Sequence, residues 1–471
     1  MRTLPWIEVA PSAPYFQTDG GESWTPIGHN DAITWPNLAG VYRRRGLAAV
    51  EQHLADLAAN GVTCLRLMLE YAQERHRFLE RPCGTFSPNM VRLWDDLFAL
   101  CARHGLRILL TPFDTFWMWR NWKRHPYNRA NGGICAKRSQ WLTCRETRAA
   151  IKRRLSFATE RWGGNGTLFA WDLWNEIHPA HAGGDPGCFA EFIDDLSGSL
   201  RCREVELHGR AHPQTVSLFG PVVLEYPQYP QIPEAVLRHP RLDFHSLHFY
   251  EDGTIDFPRN TVDAAVSVGR LVREALGEVP AGRPFLDSEH GPIHTFKDHH
   301  RTLPEPFDDE YFRHIQWAHL ASGGAGGGMR WPNRHPHTLT SGMHAAQKAL
   351  AGFTPLVDWS RFQRRNLNAE MEIRGEGWTG FACGDREQAI AWLLRTNRLD
   401  RSGRLRRDAE PVSPAVALPG LAEGSLYQVT FWNTAEGSCA GCAEVGGPVD
   451  GRLVVQLPPV VTDLALAVRR V

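Results

Sequence analysis

No run in this chain approaches the roughly 20 apolar residues that a membrane-spanning helix requires. The stretch from Met1 to Val9 also lacks the apolar centre of a secretion signal. Net charge is missing too, because 52 basic and 52 acidic residues cancel to a formal charge of 0. Without a basic excess or an acidic tail, nucleic acid and anionic membrane surfaces are excluded as general partners. Lysine is scarce, five residues in all, so the positive charge is almost wholly arginine, which by itself names no function. The ten cysteines follow no framework: Cys439 and Cys442 form one C-x-x-C, and no second pair completes a zinc site. Reduced thiols in a cytoplasmic protein are the expected state. No Gly-rich dinucleotide fingerprint follows the first strand-like run, which speaks against an open nucleotide-binding sheet.

What the chain does have is bulk and aromatic rings. Its 471 residues are 42% hydrophobic and include 17 Trp, 22 Phe and 9 Tyr. That length suffices for a barrel of about 250 to 400 residues plus a smaller module. Aromatic faces bind the C–H faces of sugar rings, although most rings in a chain of this size fill cores.

Strand-like and helix-like runs alternate from about residue 28 to 350. The spacing of Leu47, Val50, Leu54 and Leu57 predicts a helix over 45–60 that stops at Gly61. Ser87 and Pro88, an N-cap and a first-turn proline, open a second helix through Trp94, Leu97 and Cys101 to Gly105. Further helices are expected over 145–162, 262–276 and 308–321. Strand-like runs fall at 62–69, 106–113, 168–174, 215–220, 243–250, 284–289 and 327–331, and 24–30 opens the series to make eight. Continuous apolar strands alternating with helices imply a parallel sheet covered by helices, and eight such units favour closure. The expected fold class is α/β, a (β/α)8 TIM barrel over residues 1–353. Beyond it, short runs at 389–394, 427–432, 452–457 and 463–468 are separated by Gly, Pro and Asp. They read as a C-terminal antiparallel β-sandwich over 354–471, packed as an accessory domain.

Two acidic residues each close a strand-like run: Glu176 after Phe169-Ala-Trp-Asp-Leu-Trp-Asn, and Glu289 after Pro284-Phe-Leu-Asp-Ser. The carboxyl ends of barrel strands open into one cleft. Cleaving a glycosidic bond takes two carboxyl groups there, one to protonate the departing oxygen and one to attack or to guide water. Alternation along a strand aligns Asp172, Trp174 and Glu176, then Ser246, His248 and Tyr250, then Phe285, Asp287 and Glu289. Arg66 lies near the end of the second strand and Trp331 near that of the eighth.

In that order Arg66, Asn175-Glu176, His248-x-Tyr250, Glu289 and Trp331 resemble the signature of retaining β-glycosidases of clan A. Within the clan the likeness is nearest to glycoside hydrolase family 5, in its mannanase- and cellulase-like branches. It spans roughly residues 20 to 350 and is most specific from Asn131-Gly-Gly through Arg161-Trp-Gly to Trp171-Asp-Leu-Trp-Asn-Glu. The resemblance implies Glu176 as general acid/base and Glu289 as the nucleophile. Arg66 and Tyr250 would hold Glu289 ionised, Asn175 would bond the sugar 2-hydroxyl, and His248 would support the acid/base or touch sugar hydroxyls. Trp331 would floor the subsite where the bond breaks. Many family members carry a His just after the third strand, whereas Pro112-Phe113-Asp114 stands here, and Asp114 is expected to bond substrate hydroxyls in its place.

Asn30, with His29 and Asp31, ends the first strand and is a candidate pocket residue, with a capped turn as the simpler alternative. The segment 113–141 holds Trp117, Trp119, Trp122 and Trp141 and is expected over the catalytic face. One or two of these rings, Trp117 among them, would stack on sugars while the others anchor the loop. His294, Asp298, His299 and His300 lack the spacing of a metal site and are expected in a loop; no metal or other cofactor is expected. The expected activity is retaining hydrolysis of β-linked oligosaccharide or polysaccharide by double displacement, with carboxyl groups roughly 5 Å apart. β-Mannan or β-mannoside stands ahead of β-glucan and β-galactoside as substrate. A non-catalytic carbohydrate-binding barrel and a transglycosylase using the same residues stay open, as do endo or exo action and oligomeric state.

Overall fold

A computed structural model of the chain describes residues 3–69, 77–220, 229–293 and 302–471. The chain enters through a small antiparallel sheet of three strands, β1 (Ile7–Val9), β2 (Phe16–Thr18) and β3 (Ser23–Trp24). Residues 24–30, expected as one opening strand, are therefore split. Trp24 belongs to this sheet, Pro26 intervenes without an N–H to donate, and β4 (Gly28–Asp31) starts a parallel sheet.

That sheet runs in chain order through β4, β5 (Cys64–Met68), β6 (Arg107–Thr111), β7 (Leu168–Asp172) and β8 (Gln214–Thr215). A second parallel sheet orders β9 (Ser217–Phe219), β10 (His245–Phe249) and β11 (Phe285–His290). A single residue, Val216, separates β8 from β9. At the opposite edges, Arg330 bridges in parallel to both His29 and His290. The Asn30 amide donates to Arg330 O at 2.9 Å, and the Trp331 amide to His290 O at 2.8 Å. The eighth expected strand, 327–331, is thus reduced to one bridging residue. Gly326 and Gly328 hold φ of +79° and +75°, which no extended strand accommodates.

Every residue of β5, β6, β7, β10 and β11 is buried, as expected of parallel strands hidden from water on both faces. The helix Leu47–Ala59 turns Val50, Leu54 and Leu57 inward, and Gly61 ends it at φ +75°. Pro88–His104 carries its proline in the first turn and closes on left-handed Gly105. Arg145–Trp162, Thr261–Glu278 and Glu305–Ala321 cover the expected helical runs, and Phe189–His208 and Ser341–Phe353 complete the layer. Among the described residues no helix is long and apolar enough to cross a membrane.

Beyond Phe353 the chain is antiparallel. One six-stranded sheet includes Trp378–Gly384, Gln388–Arg395, Leu426–Asn433, Ser438–Gly446 and Asp463–Arg470, and a three-stranded sheet joins Glu372–Arg374, Ala415–Pro419 and Arg452–Gln456. Val416, Leu418, Leu453 and Val455 of the smaller sheet share one buried cluster with Val429, Leu464 and Leu466 of the larger. Arg313, on the helix Glu305–Ala321, grips Asp463 through two bonds of 2.8 and 2.7 Å. Burial alone would raise the Asp463 carboxyl, but the adjacent Arg313 guanidinium holds it well below the usual carboxylate range.

Candidate active site

Side chains from β4, β7 and β11 converge on the guanidinium of Arg66 in β5, which is wholly buried. Its Nη1 donates to Asn30 Oδ1 at 2.9 Å and to Glu289 Oε2 at 2.9 Å. Its Nη2 donates to Asp172 Oδ2 at 2.7 Å and to Asn175 Oδ1 at 2.5 Å. A planar, permanently charged fork fits this task better than an ammonium, because it meets carboxylates on β7 and β11 at once. Asn30 is anchored in turn, since its Nδ2 donates to the Ser288 carbonyl at 2.9 Å.

Ser217 completes the lower rim. Its Oγ donates to Asp172 Oδ2 at 2.8 Å, while its own amide donates to Asp172 Oδ1 at 2.9 Å. The same Oγ accepts from the Glu176 amide at 3.2 Å. Glu176 needs that support, because its φ is +52°, a left-handed conformation that costs a non-glycine residue about 1–3 kcal/mol. The turn swings the Glu176 carboxyl back over the strand ends.

A bulge shapes the opposite wall. Leu247 pairs with Asp287 and His248 with Glu289, leaving Ser288 as the extra residue of β11. The Ser288 hydroxyl thereby reaches His248 Nε2 at 3.0 Å, and Ser246 Oγ lies 2.5 Å from it. His248 Nδ1 stands 2.7 Å from Glu176 Oε1 and 3.7 Å from Glu289 Oε2. The Tyr250 hydroxyl donates to Glu289 Oε1 at 2.6 Å, and its ring stacks on Phe219 at 5.7 Å. One carboxylate oxygen each of Glu176 and Glu289 and a ring nitrogen of His248 all lie within 4.8 Å of one another. Among the described residues this trio is also the group placed closely enough to hold a metal ion.

Burial dominates the electrostatics of the site. It pushes the Glu176 carboxyl up to about 7, against Arg66 and with help from Asp172. It pushes His248 down to about 4, so the ring is neutral at neutral pH. It also raises Glu289, and the Glu176 charge adds to the rise, but there Arg66 and the Tyr250 hydroxyl oppose it. The two carboxyls therefore differ in kind. Glu289 is bonded by a guanidinium and a phenol, both of which favour the carboxylate, whereas Glu176 has a neutral imidazole as its close partner.

No family model matches the chain, and no curated protein matches it in sequence. Solved structures do match. One described as a glycoside hydrolase aligns over 99% of this chain and 97% of its own, with TM-score 0.60 and 11% identity. A glycoside hydrolase family 5 protein from Bacteroides vulgatus ATCC 8482 gives TM-score 0.60 at 12% identity, covering 100% of this chain and 95% of its own. A family 5 mannosidase from Rhizomucor miehei gives 0.53 at 15%, covering 74% and 97% respectively. The chain shares its fold with glycoside hydrolases of family 5.

Within this glycoside hydrolase fold the expected residues gather unevenly. Arg66, Asn175, Glu176, His248, Tyr250 and Glu289 form the connected set just described. Alternation along the fourth strand misplaces one of them: β7 ends at Asp172, so Asn175 meets Arg66 while Trp174 packs outward on Phe113 and donates to Thr115 Oγ1 at 2.8 Å. Asp114 is buried, with one carboxylate oxygen receiving Asn175 Nδ2 and the other capping the helix Thr115–Arg120 through the Trp117 amide. Burial pushes its carboxyl up to about 7. Trp117 is buried beside Ala32, Trp35 and Met68, and half-buried Trp331 packs against that cluster, edge-on to Trp35 at 5.0 Å. His294, Asp298, His299 and His300 lie outside the described residues. Ser246 stands where alternation with His248 and Tyr250 puts it, whereas Ser217 and Ser288 carry no sequence signal beyond their position in strand-like runs that end in the site.

Proposed function

We propose that the chain is a retaining β-glycoside hydrolase that cleaves β-linked oligosaccharide or polysaccharide by double displacement, with β-mannosides as the preferred class. The observation that carries this reading is that one carboxylate oxygen of Glu176 and one of Glu289 lie within 4.8 Å of each other. Retaining sites hold their carboxyl groups about 5–5.5 Å apart, whereas inverting sites leave about 6.5–9.5 Å for a water. The mannoside preference is supported by the family 5 mannosidase whose fold the chain shares. The fold reading extends the same way. The two parallel sheets, joined through Val216 and Arg330, are one (β/α)8 barrel over residues 1–353, and the antiparallel sheets are a β-sandwich over 354–471.

The chemistry follows from the asymmetry of the two carboxyls. Glu176, whose carboxyl burial raises to about 7, holds a proton up to near-neutral pH and passes it to the glycosidic oxygen as the C–O bond breaks. Glu289 attacks the anomeric carbon and forms a glycosyl ester. Arg66 and Tyr250 keep it ionised beforehand and orient the oxygen that attacks. Glu176, now a carboxylate, takes a proton from the water that hydrolyses the ester. His248 holds Glu176 Oε1, leaving Oε2 to trade the proton with substrate. Asn175 spends one amide hydrogen on Asp114 and keeps the other for the sugar 2-hydroxyl, a contact that tightens as positive charge builds on the ring. Asp114, Asn30 and Ser217 position these groups, and Trp331 offers an aromatic floor.

The test is a panel of aryl β-glycosides and defined β-manno-oligosaccharides, with product anomers followed by NMR from the first turnover. Release of the β-anomer first supports the assignment. Release of the α-anomer first, or binding of every saccharide without release, refutes it.

A further inference from the structure

The strand Ser438–Gly446, at the edge of the six-stranded sheet, carries Cys439 and Cys442, the C-x-x-C that the site leaves unused. Both thiols are free and exposed, and their sulfurs stand 3.7 Å apart. In a regular strand, residues three apart face opposite sides and lie about 10 Å from each other. A bulge removes that separation. Phe431 pairs with Gly441 and Trp432 with Cys439, leaving Ala440 as the extra residue, and Gly441 takes a φ of +143°. One added residue restores parity, so both sulfurs emerge on the same face. The pair also sits at a junction. Trp432, directly opposite Cys439, donates from its indole to Ala349 O at 3.2 Å on the helix Ser341–Phe353.

We propose that Cys439 and Cys442 are a surface dithiol that low-molecular-weight disulfides oxidise to an intramolecular disulfide. One thiol loses its proton to solvent and attacks a sulfur of the small disulfide, forming a mixed disulfide and expelling a thiolate that is protonated to the free thiol. The second cysteine, deprotonated in the same way, attacks the protein sulfur of that mixed disulfide. The Cys439–Cys442 bond forms and a second small thiol leaves. Two electrons pass from the protein dithiol to the small disulfide, which ends as two thiols. The sulfurs must close from 3.7 Å to about 2 Å, which rotation of two exposed side chains accomplishes. The product staples the bulge beside the Trp432 contact between the antiparallel region and the helix layer.

The full-length chain treated with oxidised glutathione, quenched in acid and mapped by peptide mass spectrometry tests this. Cys202, exposed on the helix Phe189–His208, shows in the same sample that the reagent reaches surface thiols. The peptide spanning Cys439 and Cys442 should lose two hydrogens and keep no adduct. The Cys442→Ser variant should instead hold one glutathione on Cys439, and Cys439→Ser one on Cys442. A wild-type peptide that retains glutathione on either cysteine, or stays reduced while Cys202 reacts, overturns the proposal.

Discussion

Replacing Tyr250 by Phe removes one atom, the hydroxyl that donates to Glu289 Oε1 at 2.6 Å, and leaves the ring stacked on Phe219. A hydrogen bond to a charged group is worth about 1.5–3 kcal/mol. That bond favours the carboxylate over the acid, so its loss raises the pKa of Glu289. At about 1.4 kcal/mol per unit, the rise is about 1–2 units. An essential nucleophile must be ionised in the free enzyme, so the acidic limb of kcat/KM should move to higher pH by that amount. The basic limb belongs to Glu176, whose carboxyl burial raises to about 7, and activity falls there as pH rises and the acid loses its proton. Tyr250 does not bond Glu176, so this limb should stay in place. The assay is a pH series of kcat/KM on an aryl β-mannoside for the wild type and the Tyr250→Phe variant. An acidic limb that does not move, or a basic limb that moves instead, would falsify the assignment of Glu289 as the ionised partner.

Glu289→Gln should abolish turnover on every substrate while thermal unfolding shows a folded protein, and near-normal activity would remove the nucleophile. Glu176→Ala should lose about 10²–10⁴ in rate on oligosaccharides, the usual range for a general acid. In kcat/KM, which reports the first step, the loss should be far smaller on a dinitrophenyl glycoside, whose leaving group needs no proton, and equal losses in kcat/KM on both substrates would argue against the acid role. Arg313→Ala leaves Asp463 buried without its cation and should destabilise the chain by about 3–5 kcal/mol, read by denaturant titration. Because Arg313 lowers the folded pKa of Asp463, its contribution is present above the ordinary carboxylate pKa of about 3.9 and fades as pH falls below it. The variant should therefore lose less stability than the wild type on acidification, and parallel curves would contradict the pairing.

Much of this molecule was legible as periodicity. Val50, Leu54 and Leu57 mark a helix face, and the runs around Leu65, Leu109 and Leu247 mark strands buried on both sides, because burial imprints itself locally on side-chain chemistry. The order of Arg66, Asn175-Glu176, His248-x-Tyr250 and Glu289 along the chain was enough to name a candidate site. Its internal geometry was not. Alternation pointed Trp174 toward the site, but β7 stops at Asp172 and the chain turns left-handed at Glu176, so Asn175 takes that place. The bulge that turns Ser288 toward His248 exists only because β10 and β11 pair in a register set by residues some forty positions apart. The N-terminal antiparallel sheet, the contraction of the eighth strand to Arg330 and the burial of Asp114 and Trp117 share that origin. Composition and spacing determined which groups are available and which segments hide from water. Hydrogen bonds between distant strands, which leave no local trace, decided which carboxyl faces a guanidinium and which faces a neutral imidazole.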